Sequence, residues 1–95
     1  MTTKKEIILL KKISYELENG INDDGFLDKR GGFISLLEYS SSFFSESQAG
    51  KIEEIKLSIK KSYTLLGSIR SKGWTNENKS NALSLANNFT NLAND

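Results

Sequence analysis

Apolar residues return every three or four positions along most of this chain, and the longest such run is KIEEIKLSIKKSYTLLGSIRS, residues 51–71. Ile52, Ile55, Ile59, Tyr63, Leu66 and Ile69 fall on one face of a helix with 3.6 residues per turn. Glu53 and Glu54 stand near its start and Arg70 and Lys72 near its end, so each sign sits where the helix dipole favours it. Gly67 inside the run costs about 1 kcal/mol relative to Ala. That cost calls for a close backbone approach there or a loosened last turn, and Gly73 is placed to cap the end.

Three more stretches carry the same period. Over 3–18, Ile7, Leu10, Ser14 and Leu17 form a stripe that Leu9 and Ile13 widen. Thr3 and Glu6 have the spacing of a capping box, and Asn19-Gly20 has the chemistry of a left-handed stop. Over 33–44, Phe33, Leu36, Leu37, Ser40 and Phe44 face inward; FISLLEY would also fit a short buried strand, but no stretch with β chemistry is present to pair with it. Over 75–93, Thr75 is the N-cap, Glu77 lies in the first turn, and Ala82, Leu85, Ala86, Phe89, Leu92 and Ala93 make a stripe whose small residues permit close approach. The opposite face of that stretch is almost all Asn and Ser. The long third pattern begins near 47, where Ser45 and Gln48 repeat the capping-box spacing.

The prediction is an all-α fold, a small antiparallel bundle of four helices (3–18, 33–44, 47–72 and 75–93) forming one domain over 1–95. The one long irregular stretch is the acidic loop NGINDDGFLDKRGG, in which Asp23, Asp24, Gly25, Gly31 and Gly32 are turn formers. Ile21, Phe26 and Leu27 are its inward anchors, and a short helix or turn at 26–30 fits the pattern.

Composition sharpens this picture by what it leaves out. Leu, Ile and Phe supply 26 of the 95 residues, above the roughly 20% at which disorder becomes the default. Valine and proline are absent, which favours helix and leaves breaks to Gly and polar clusters. There is no Cys and no His, so disulfides, thiolate ligands, thiol nucleophiles and imidazole bases are all excluded. The net charge of +1 gives no strong field to steer the chain to nucleic acid or an anionic membrane. The opening MTTKKEIILLKK has only four consecutive apolar residues, too few for a secretory core or a membrane span, so a cytoplasmic protein is expected.

Each candidate chemistry falls short of its pattern. With Gly25 at the sixth position of a calcium loop, Asn22, Asp24 and Asp28 would occupy the third, fifth and ninth, but Gly20 and Gly31 stand where the leading Asp and bidentate Glu belong. The carboxylates Glu16, Glu18, Asp23, Asp24, Asp28 and Glu38 offer no nucleophile–base pairing, and GFLDKRGG lacks the spacing of a phosphate loop. Lys56, Lys60, Lys61, Arg70 and Lys72 share their helix with Glu53 and Glu54 and belong to no nucleic-acid reading module. Adjacent helical residues diverge by about 100°, so Phe43 and Phe44 cannot both face the core. Trp74 follows a helix break, as in the small secreted Trp-X-Gly helical hairpins, but here Thr75-Asn76 follow it, late in the chain, and the family motif is not met.

No enzyme, metal or cofactor is therefore expected. The expectation is a protein-binding protein, a stoichiometric inhibitor or immunity protein that neutralises a toxin or enzyme by covering it. Asp23, Asp24 and Asp28 would meet a basic partner, and Phe43 and Trp74 would serve as aromatic anchors. The alternatives are a self-associating structural or adaptor subunit, and a weak nucleic-acid binder through the basic face of the third helix.

Overall fold

The computed structural model describes residues 4–23, 25–27, 32–45 and 52–94. They form four helices, α1 (Lys4–Asn19), α2 (Phe33–Ser45), α3 (Ile52–Lys72) and α4 (Asn76–Asn94), and no strand is present among them. The molecule measures 37 × 23 × 18 Å. At about 1.5 Å per residue α3 alone is about 31 Å long, so the helices run along the long axis. Contacts link α1 to α2, α2 to α3, α3 to α4 and α4 back to α1, a closed ring without diagonals in which α1 and α4 share the largest interface. The expected antiparallel four-helix bundle is what the chain forms.

The buried seam of every helix alternates steps of four and three. It runs Glu6, Leu10, Ile13, Leu17 on α1 and Phe33, Leu37, Ser40, Phe44 on α2. It continues as Ile55, Ile59, Ser62, Leu66, Ile69 on α3 and Asn78, Ala82, Leu85, Phe89, Leu92 on α4. This is the spacing that packs knobs into holes in gently supercoiled bundles. α2 is a helix throughout, and Phe44 is the member of the aromatic pair that reaches the core.

Polar seam residues survive burial because each has a partner. Ser62 donates its hydroxyl to the Ser58 carbonyl at 2.9 Å, and Ser40 to Leu36 at 2.6 Å. Ser62 takes the seam position that the sequence pattern assigns to Tyr63, which instead stands 42% exposed on the flank of α3. Between α1 and α4, Ser14 donates to the Ala86 carbonyl at 2.8 Å and lies 2.7 Å from the Thr90 hydroxyl. With Ala82, Ala86 and Ala93 on the facing side, this clip holds the two backbones close.

The two described connections are built differently. α3 ends at Gly73, whose φ of +75° only glycine adopts freely and whose amide donates to Ile69 at 2.7 Å. Thr75 then caps α4 by accepting the Asn78 amide at 3.0 Å, as its position predicts. Asn78 is buried and ties the corner together: its amide nitrogen donates to the Gly73 carbonyl at 2.7 Å, and its oxygen accepts from Ser68 at 2.9 Å. The first connection is held by rings. Phe26 stacks on Phe33 with centroids 5.4 Å apart and meets Trp74 edge-on, also at 5.4 Å.

Gly20 is needed here for space: a Cβ would fall within the Phe26 ring. The left-handed residue after α1 is Asn22, at φ 69°, where the sequence pattern favours Asn19-Gly20. Gly32 stands just before α2 and its carbonyl accepts the Leu36 amide at 3.1 Å, the bond of an N-cap residue. Gly67 proves to be on the open side of an unbroken α3 with nothing near its missing Cβ, so neither reason expected for it applies. Ser45 is the last residue of α2 and 25–27 form a turn; Thr3, Gln48, the start of the third helix at 47 and residues 28–30 of the turn expected at 26–30 lie outside the described residues.

Candidate functional site

Several clefts open between the described elements of the bundle. One of about 460 Å³ between α3 and α4 is walled by Lys61, Thr64, Glu77, Asn81, Ser84 and Asn88. Beneath them lie Leu65 and Leu85, both already buried, so the cleft offers a partner amides, hydroxyls and the charges of Lys61 and Glu77, and no free apolar anchor. A second α3–α4 cleft of about 350 Å³ adds the exposed Leu57 beside Glu54, Asn88 and Asn91. A third, of about 220 Å³, lies between the first connection and the α3–α4 corner, with Asn22, Asp23, Leu27 and Trp74 on its wall.

The α1–α2 cleft differs from these three. It encloses about 320 Å³ and is lined by Lys5, Ile8, Leu9, Lys12, Leu36, Tyr39 and Phe43. Its α1 wall, Lys5, Ile8 and Lys12, steps by three and four; so does its α2 wall, Leu36, Tyr39 and Phe43. Tyr39 and Phe43 stack at 5.9 Å, and Phe43 meets the core ring of Phe44 edge-on at 5.1 Å. An aromatic ladder thus leads from the core to the surface. Ile8 is 45% exposed and Tyr39 59% exposed, whereas Leu9 below them is buried. Exposed rings and aliphatic side chains braced by a rigid floor are the residues that anchor protein interfaces.

The structure distributes the sequence-predicted site residues. Phe43 is half-buried in this cleft. Trp74 is half-buried against Phe26, and its indole N–H donates to the Asp23 carbonyl at 3.2 Å, which ties the first connection to the α3–α4 corner. Asp23 is exposed, and its carboxylate accepts the Gly25 amide at 2.9 Å in a local turn. Asp24 and Asp28 lie outside the described residues. Trp74 and Asp23 share one site, then, while Phe43 stands apart in another.

Sequence reasoning does not single out Lys5, Ile8 or Lys12. The signal for Ile8 is an apolar residue off the stripe of its own helix and between two lysines. Among the described residues no three His, Cys, Asp or Glu side chains come together as a metal site. Partial burial, and then the carboxylate of Glu38, push the Tyr63 hydroxyl above its ordinary pKa of 10.0.

No helix among the described residues is long and apolar enough to cross a membrane. No protein-family model, no curated protein and no solved structure matches this chain.

Proposed function

We propose that this chain is a non-catalytic protein-binding module that works as a stoichiometric inhibitor, in the manner of an immunity protein, by covering a surface of its partner. One observation carries the reading: the α1–α2 cleft presents Ile8, Tyr39 and Phe43 together on a packed floor, with the largest of them left to solvent. A bundle of this kind contributes shape and contact area, and affinity then rests on a few anchors. The aromatic ladder holds those anchors in place before binding, which lowers the ordering cost.

The expected contact through the acidic loop takes second place in this reading, because the described carboxylate, Asp23, is engaged in its own turn. The test is affinity capture from the source cell with the wild-type chain and with an Ile8→Asp, Tyr39→Ala double variant. The expected outcome is one partner retained at one-to-one stoichiometry by the wild type and released by the variant, with the partner's activity falling to zero at equivalence. A partner held equally by both would remove the cleft from the interface. A melting temperature that climbs with the concentration of the chain alone would favour the self-associating subunit instead.

A further inference from the structure

The rim of the α1–α2 cleft says more than that a protein docks there. Its lining holds two ammonium groups, Lys5 and Lys12, and no carboxylate. The second α3–α4 cleft has the converse arrangement, with Glu54 and no cation in its lining. Lys5 and Lys12 are seven residues apart on one face of α1, about 10 Å along the axis, with Ile8 between them. The opposite wall carries Leu36, Tyr39 and Phe43 at the same spacing and no charge.

We infer that the occupant of this cleft is an amphipathic helix of another protein that carries acidic residues about two turns apart, flanking an apolar residue. This rests on the docking reading above. Laid along the cleft, such a helix sets its apolar side chain on Ile8, Tyr39 and Phe43, and its two carboxylates over Lys5 and Lys12. Residues seven apart return to one face of the incoming helix, as they do on α1, so one rigid rod satisfies both ends at once. The apolar contact supplies affinity, and the two exposed ion pairs choose the partner and its register.

The experiment uses two synthetic helical peptides that share a central leucine. One has glutamates at the two flanking positions and its twin has lysines there, and each is titrated by fluorescence anisotropy against the full chain. The expected result is a preference of about tenfold for the glutamate peptide at low salt, shrinking as salt rises. The preference should invert in a Lys5→Glu, Lys12→Glu double variant, and Ile8→Asp should abolish binding of both peptides. Both lysines are exposed, so circular dichroism of the double variant should match the wild type.

Equal binding of the two peptides, weakened by Ile8→Asp, overturns the acidic occupant and leaves the docking surface standing. Binding that ignores Ile8→Asp overturns both. If neither peptide binds and phosphatidylserine vesicles do, the face is a lipid surface and the inference fails. If neither binds and the chain sediments as a dimer that Ile8→Asp dissociates, the occupant is a second copy and it fails equally.

Discussion

The two helical hairpins share one architecture and solve its problems with different chemistry. α3 and α4 meet at a corner of backbone caps and one buried amide, and half of the residues lining the clefts beside them are Asn or Ser. α1 and α2 are joined by a longer connection held by stacked rings, and their cleft is aliphatic and aromatic with a cationic rim. Where Asn and Ser line the α3–α4 clefts, the surface is solvated at little cost, and Leu57 is the exposed apolar side chain beside them. The α1–α2 cleft gathers Ile8, Tyr39 and Phe43 in one uncovered place, which is the usual mark of a surface that something else covers.

The largest expected effect strikes the ring-held side of this comparison. Phe26→Ala removes the ring that joins Phe33 to Trp74 and should cost about 3–5 kcal/mol in urea unfolding. A loss no larger than that of an exposed substitution would mean that the first connection does not depend on its plug. On the capped side, Asn78→Ala strips Ser68 and the Gly73 carbonyl of their partner, and a loss of about 1–3 kcal/mol is expected. Asn78→Asp should recover less than half of it, because a carboxylate can accept from Ser68 but cannot donate to Gly73.

Gly67→Ala should stabilise the chain by about 1 kcal/mol, since the new methyl group meets nothing and the helix gains propensity. A loss instead would show that this open face is covered in solution.

The smallest effect concerns the α2–α3 flank, where Tyr63 faces Glu38. Its folded pKa is raised above the unfolded value of 10.0, so the native state favours the neutral phenol. That contribution is fully present below about pH 10 and is lost as pH rises through the folded value. Glu38→Gln should make the decline of stability above pH 10 shallower, as read from melting temperatures across that range.

Most of the fold was legible because the spacing of four and three leaves its trace in the order of residues. Leu10, Ile13 and Leu17 on α1, and Ala82, Leu85 and Phe89 on α4, could be placed in the core from period alone. Tyr63 could not. A tyrosine looks more apolar than a serine, yet Ser62 returns its hydroxyl to its own helix and gives up little on burial, while the tyrosine must keep its oxygen wet. Gly20 was misread for a related reason, since its crowding comes from Phe26, six residues on and across a turn. The cleft was least legible. Ile8 and Tyr39 gain meaning only when α1 and α2 become neighbours, and period says nothing about which helices adjoin.

The clip from Ser14 to Ala86 and Thr90 joins residues more than seventy positions apart, within the largest interface of the bundle. During synthesis α1 therefore leaves the ribosome well before the surface it needs exists. At about 5–20 residues per second the wait is roughly 4–15 seconds, with Leu10, Ile13 and Leu17 exposed on a nascent helix. The largest interface of the bundle therefore closes only as a late event, when α4 arrives.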